Sequence, residues 1–330
     1  MSKFTFLFFL VFLLSCSTGK YKTIGSIERD DAAFDSIVSP NAKVEIIAEG
    51  FEWSEGPLWI EDKKMLLFSD IPNNSIFKWT EEKGKELYLK PSGYTGAAQR
   101  GGETGSNGLV LKDGKLVLCQ HGDRRMAMMD AALDDPKPVF TTIAGSYNGK
   151  KFNSPNDAVY RSNGDLFFTD PPYGLEKNMD DPLKEIPFQG VYKVNAAGEV
   201  KLLTDTISRP NGIAFLPGEQ TLLIGNSDTT KPYWYKFDLD ANDSLINPGI
   251  FYDPSAAVKT DGGNPDGLKV DSKGNVYASG PGGVWIFNKD AKLLGKIKLP
   301  GNSSNCALTA DEKTLFITAD MYVLRIKMRE

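Results

Sequence analysis

The sequence predicts an all-β fold, a six-bladed β-propeller with four antiparallel strands per blade, on three observations. A polar residue in a short turn motif, followed by a strand, a tight turn and a second strand, returns six times. The polar markers are Glu55, Asn107, Asn156, Asn211, Asp266 and Asn305, separated by 52, 49, 55, 55 and 39 residues. A period of about 50 residues built from short strands is the pattern of a propeller and not of a helical solenoid. Finally, 32 glycines and 19 prolines in 330 residues suit many tight turns and few long helices.

The first unit opens with Glu55-Gly56-Pro57-Leu58-Trp59 and leads to MLLFSD, ending at Asp70. The second runs from Ser106-Asn107-Gly108-Leu109 through Lys112-Asp113-Gly114 to KLVLCQ and His121. The third is the most complete, with Ser154-Pro155-Asn156-Asp157, an apolar strand, the turn Ser162-Asn163-Gly164, and a strand over 165–169 that ends in Asp170. A tight turn between two β-rich runs is a hairpin signal. A hairpin brings the chain back to the side it left, so Asn156 and Asp170 are expected at one end.

Pro210-Asn211-Gly212-Ile213 opens the fourth unit and leads to TLLIGN and Ser227. Pro265-Asp266-Gly267-Leu268 opens the fifth and leads to NVYASG, and Ser304-Asn305-Cys306-Ala307 opens the sixth and leads to TLFITAD. Third strands are expected at 75–79, 190–194, 233–237 and 283–287, and fourth strands such as KELYLK and VKLLTD follow. The last unit ends with VLRIK at 323–327, one strand short. The run KVEIIA at 43–48 has no blade of its own and is expected to supply that strand, closing the ring and removing exposed sheet edges.

The start of the chain has a different composition. Lys3 precedes FTFLFFLVFLLS, an apolar run too short to span a bilayer comfortably, which is the form of a secretory signal segment. The run ends in Leu13-Leu14-Ser15-Cys16, which resembles a bacterial lipoprotein processing site with Cys16 as the lipidated residue. The expected organisation is a signal peptide over 1–15, a polar tether over 16–40 and one propeller domain over 41–330. Export as a lipoprotein to the periplasm, outer membrane or cell surface follows, with membrane contact only through Cys16. Cys119 and Cys306 both fall in strand-like runs and are expected as buried thiols. A net charge of -5 argues against nucleic acid as a partner.

In a propeller the first strand of each blade lines the central channel, so the six markers are expected at one mouth. Glu55, Asn156, Asn211 and Asp266 would converge from four blades with two carboxylates and two amides. Hard oxygen donors without sulfur suit Ca²⁺ first, with Mg²⁺, Mn²⁺ or Zn²⁺ as further candidates. With one histidine and no CxxC, a thiolate or histidine zinc site lacks ligands. Asn107 faces the same channel, as a substrate contact or outer ligand. Asp170 and Tyr173 in the TDPPYG segment are expected at the mouth, and Trp53 and Trp59 beside Glu55 read as packing residues.

These motifs, FEWSEGPLW, SPNDAV with LFFTDPPYG, RPNGIAF and NPDGLKVD, resemble the gluconolactonase, senescence-marker-protein (regucalcin) and luciferin-regenerating-enzyme family, most of all its gluconolactonase branch. The resemblance covers residues 45–327, roughly the whole repeat region. It implies a six-bladed propeller with one divalent metal in the channel, held by Glu55, Asn156, Asn211 and Asp266, and a sugar-derived aldonolactone as substrate. One departure is Ser154, where the animal branch carries an arginine that holds substrate hydroxyls. Another is Asn305-Cys306 in place of Asn-Gly or Asp-Gly, so no ligand role is carried onto Asn305.

The expected chemistry is hydrolysis of a small-molecule lactone, the metal polarising the carbonyl for attack by water. Asp266 is one candidate for the base that takes the water's proton. His121 is the other, since its ordinary pKa suits proton transfer. There is no GxSxG, so the serine-hydrolase pattern is absent. Two other readings remain: a non-catalytic binding module with a structural calcium site, and a hydrolase of aryl esters or organophosphates.

Overall fold

A computed structural model of the chain describes residues 20–329. The described residues form six antiparallel sheets of four or five strands, arranged as the blades of a propeller. Blade 1 comprises Ser54–Ile60, Met65–Asp70, Ser75–Thr80 and Gly84–Leu89. Blade 2 comprises Ser106–Lys112, Lys115–Gln120, Arg125–Met129 and Phe140–Ala144. Blade 3 uses Ala158–Tyr160, Leu166–Asp170, Gly190–Val194 and Val200–Thr204, and blade 4 uses Pro210–Phe215, Thr221–Asn226, Trp234–Leu239 and Leu245–Tyr252. Blade 5 is built on Leu268–Val270, Val276–Gly280, Gly283–Phe287 and Leu293–Lys298.

Blade 6 closes the ring as expected. Ser303–Leu308, Thr314–Ala319 and Tyr322–Lys327 are joined by Val44–Glu49 on the outer edge, with Val44 opposite Ile326 and Glu49 opposite Tyr322. Arg325 and Glu45 reinforce this seam through Nε and Oε2 at 2.8 Å.

The core is six slabs, one between each pair of neighbouring blades. A strand inside a blade therefore buries both faces, and its sequence is a continuous apolar run instead of an alternation. In MLLFSD, Leu66 and Phe68 face blade 6 while Leu67 faces blade 2. Cys119 lies between blades 2 and 3 and Cys306 between blades 5 and 6, both as buried free thiols.

One stretch differs from expectation. Much of the segment read as a tether is part of the fold: Ser26–Arg29 adds a fifth strand to blade 5, pairing Ser26 with Lys298 and Arg29 with Gly295. Behind it a short 3-10 turn, Ala32–Ser36, is capped by Asp31 accepting from the Ala33 N–H at 2.9 Å, and it drops Phe34 into the slab between blades 5 and 6. Phe34, Ile37 and Val38 together anchor this segment in that slab. The chain before blade 5 contains a short α-helix, Ser255–Asp261. The signal segment and Cys16 lie outside the described residues.

Candidate active site at the channel mouth

A ring of hydrogen bonds joins the inner strands where the markers sit. Going round the channel, Ser69 Oγ donates to Asn107 O at 2.9 Å, Gly108 N to Asn156 O at 2.8 Å, and Thr169 Oγ1 to Asn211 O at 2.7 Å. Ser227 Oγ then donates to Pro265 O at 2.5 Å, Gly267 N to Ser304 O at 2.7 Å, and Ser304 Oγ to Ser54 O at 2.7 Å. Each junction uses the carbonyl of a marker or of the residue before it. The marker side chains are thereby aimed at the axis by their own backbone.

The result is one cavity of about 250 Å³ lined by Glu55, Asn107, Asn156, Asn211 and Asp266 together with Tyr173. Glu55, Asn107, Asn156 and Asn211 are each less than 5 % exposed, at 1 %, 3 %, 1 % and 4 %. Five side-chain oxygens here are buried with no hydrogen-bond partner: Asn107 Oδ1, Asn156 Oδ1, Asn211 Oδ1, Asn264 Oδ1 and Asp266 Oδ1. Such groups are costly unless something binds them. Asn211 shows how the orientation is enforced. Ser227 spends its hydroxyl proton on Pro265 O, so it can only accept from Asn211 Nδ2, at 3.0 Å, which leaves Oδ1 to the cavity.

The electrostatics favour a cation. Burial pushes the Glu55 carboxyl above its ordinary range, and the nearby Asp157 charge adds to this. Asp266 is raised well above its ordinary value by burial first, then by the charges of Glu55, Glu103 and Asp157. Among the described residues no group of three or more His, Cys, Asp or Glu side chains forms a metal cluster. The cavity is lined by three carboxylates, Glu55, Glu103 and Asp266, with amide oxygens completing the donor set, a composition that fits a hard divalent ion and not zinc held by thiolate or imidazole.

Tyr173 lines the cavity. Ser154 Oγ donates to Pro171 O at 2.6 Å and accepts from Gly174 N at 2.9 Å, which pins the proline-rich turn and holds Tyr173 at the cavity. Three other placements correct the sequence reading. Asp170 does not line the mouth: it is fully buried and accepts the Asn153 and Ser154 N–H groups, both at 2.8 Å. Trp53, read as packing, lines the cavity, whereas Trp59 stacks on Phe316 with centroids 5.2 Å apart. His121 is fully buried and is not part of the cavity wall. Its Nδ1 lies 3.0 Å from the Glu103 carboxylate without the alignment of a hydrogen bond.

Glu103, Arg209 and Ser227 also line the cavity and were missed. Arg209 directly precedes the Pro210-Asn211 motif, so its position was readable; Glu103 comes from the irregular stretch before blade 2. Arg100, in the same stretch, donates to Gly122 O at 2.7 Å and to Gly174 O, tying that loop to the Tyr173 turn.

Asp170 carries a pH prediction. Burial pushes its carboxyl up to about 7, against the pull of the two N–H groups. A carboxyl that titrates higher folded than unfolded contributes stability that is fully present below the ordinary carboxylate range and is lost as pH rises through about 7. The native protein should therefore lose stability relative to Asp170→Asn as pH rises across this window, by at most about 1.4 kcal/mol per pH unit. Urea denaturation of both proteins at intervals between about pH 4 and about pH 8 measures it. A constant difference would mean that the carboxyl stays ionised throughout.

A closed six-bladed propeller with carboxylates and amides gathered at one end of its channel defines a class of protein with a small polar site on the axis. Within that class, the chain belongs to the SMP-30/Gluconolactonase/LRE-like family, whose model matches residues 53–320. It is 36% identical to a gluconolactonase of Zymomonas mobilis, over 93% of this chain and 87% of that protein. Among solved structures it is similar to the gluconolactonase XC5397 of Xanthomonas campestris, with 27% identity, a TM-score of 0.80, and coverage of 95% of this chain and 99% of the other. The calcium-binding protein regucalcin of Agrobacterium tumefaciens shares the fold, at 19% identity and a TM-score of 0.65 over 86% of this chain and 94% of that one.

Proposed function

We propose that the protein is a lactone hydrolase of the gluconolactonase type, opening a sugar-derived lactone to its hydroxy acid. The observation that carries this reading is the set of five unpartnered oxygens around one small cavity, together with family membership. Glu55, Asn156, Asn211 and Asp266 would hold a divalent cation, Ca²⁺ in the first instance. When bound there, the ion would supply Lewis-acid polarisation of the lactone carbonyl.

The rest of the chemistry falls to the chain's own groups. Asp266 takes a proton from water as the water oxygen bonds to the carbonyl carbon. The proton then passes to the ring oxygen as the ring C–O bond breaks, leaving a carboxylic acid and a hydroxyl. Asp266 Oδ1 is free of partners and faces the cavity, whereas His121 is shut behind Glu103 and the Tyr173 turn, so the base is assigned to Asp266. Asn107, Tyr173, Arg209 and Glu103 supply polar contacts for substrate hydroxyls.

Metal removal tests the reading. The stripped protein should hydrolyse an aldonolactone at least about 100-fold more slowly than the reloaded protein, from the several kcal/mol of Lewis-acid stabilisation lost. Activity should return when Ca²⁺, Mg²⁺, Mn²⁺ or Zn²⁺ is added back singly. Recovery with none of them, in a protein that still folds, would favour a binding module instead. Export and anchoring through Cys16 belong to the same proposal: Cys16→Ser should move the protein from the membrane to the soluble fraction, and a protein whose fractionation did not change would not be anchored there.

A further inference from the structure

Asn305, the sixth marker, does not line the cavity and is 1 % exposed. Its amide is used at both ends. Oδ1 accepts from the Cys306 N–H at 2.9 Å and from Lys269 Nζ at 3.1 Å. Nδ2 donates to Glu55 Oε2 at 3.3 Å and to Asp157 Oδ2 at 3.2 Å. The amide cannot be turned round, because an N–H and an ammonium only donate and ionised carboxylates only accept.

Gly267 makes the position possible. A Cβ there would lie 2.0 Å from Asn305 Cγ, so the Asp-Gly motif of blade 5 leaves room for the side chain of blade 6. Lys269 enters from the opposite opening of the channel and also lies 3.4 Å from Asp157 Oδ2. Burial works against its charge, but Asp157 and other neighbours hold the ammonium above the ordinary lysine range. One amide thus joins the cavity carboxylate Glu55 to an ion pair beneath it.

We infer that Asn305, anchored by Lys269 and Asp157, is a positioning residue that fixes the Glu55 carboxylate so that the cation seat is formed in advance. The inference rests on the divalent-cation reading above. Groups that orient metal-binding side chains in this way are commonly worth about 10- to 100-fold in metal affinity.

Calorimetric titration of the metal-stripped protein with Ca²⁺ tests the inference, with terbium luminescence extending the range for weak variants. Asn305→Ala should raise Kd about 10- to 100-fold. In a Glu55→Gln background the same substitution should change Kd by less than about threefold, because the group it supports is gone. An equal loss in both backgrounds, or an unchanged Kd in the native background, overturns the inference. If Asn305→Ala does not fold by circular dichroism, Asn305→Ser, whose hydroxyl is too short to bridge the two carboxylates, is held to the same outcomes. A native protein that takes up no Ca²⁺, Mg²⁺ or Mn²⁺ overturns the cation reading and this inference together. Native uptake with an unaffected variant overturns the inference alone.

Discussion

Asp266→Asn should lower kcat for an aldonolactone by about 10²- to 10⁴-fold, the usual contribution of a positioned general base, when assayed at saturating metal. His121→Gln should hold kcat within about threefold, less than about 1 kcal/mol in the barrier. The contrast follows from access. Asp266 presents an unpartnered oxygen to the cavity, and its backbone N–H is tied to Ser279 O at 2.9 Å. His121 lies under the 171–174 turn, where a Cβ on Gly174 would come within 2.6 Å of His121 Cβ. Glu103, which lines the cavity, lies 3.0 Å from His121 Nδ1. Matching losses in the two variants would make Glu103 and His121 part of the proton path and remove the assignment of Asp266 as sole base.

The largest stability loss is expected from Gly56→Ala, about 2–5 kcal/mol. Two costs add. Gly56 has φ of 54°, in the left-handed region, which is unfavourable for a residue with a side chain. A Cβ there would also lie 2.1 Å from Asn107 O and 2.9 Å from Asn107 C, backbone atoms of the ring around the channel. Gly84→Ala separates the two costs. Its φ is 70° and nothing lies within 4 Å of the added Cβ, so only the backbone term, about 1–2 kcal/mol, should appear. Urea denaturation of the two variants measures the difference. Equal losses would mean that the inner ring yields to accommodate a methyl group.

Much of the fold was legible because the repeat makes the same physical demand in each unit. The runs MLLF, LFF and LLI are apolar without alternation because both faces of each strand meet a neighbouring blade. The placement of Glu55, Asn107, Asn156, Asn211 and Asp266 at one cavity was legible because the motif that turns the backbone also aims the side chain. Asp170 was misread for an instructive reason. Asp70 plays a similar part in blade 1, accepting from Glu52 N at 3.1 Å and Trp53 N at 3.2 Å, and Asn226 accepts from Arg209 N at 2.8 Å in blade 4. A polar residue that recurs at the end of the second strand is fastening the loop before the first strand, and its recurrence was the available clue. Ser26–Arg29 was not legible, since four largely exposed residues carry no apolar period, and their strand is defined by the edge of blade 5. Glu103 was hidden in a loop whose path depends on Arg100 and on Gly174, 71 positions further along.

The seam in blade 6 has a bearing on biogenesis. Val44–Glu49 must wait, edge exposed, until Tyr322–Lys327 has been synthesised. A chain that has formed five blades is still an open horseshoe, and the ring closes only when this pairing is made. Truncation before Tyr322 would therefore leave the Val44–Glu49 edge without its partner, however sound the other five blades.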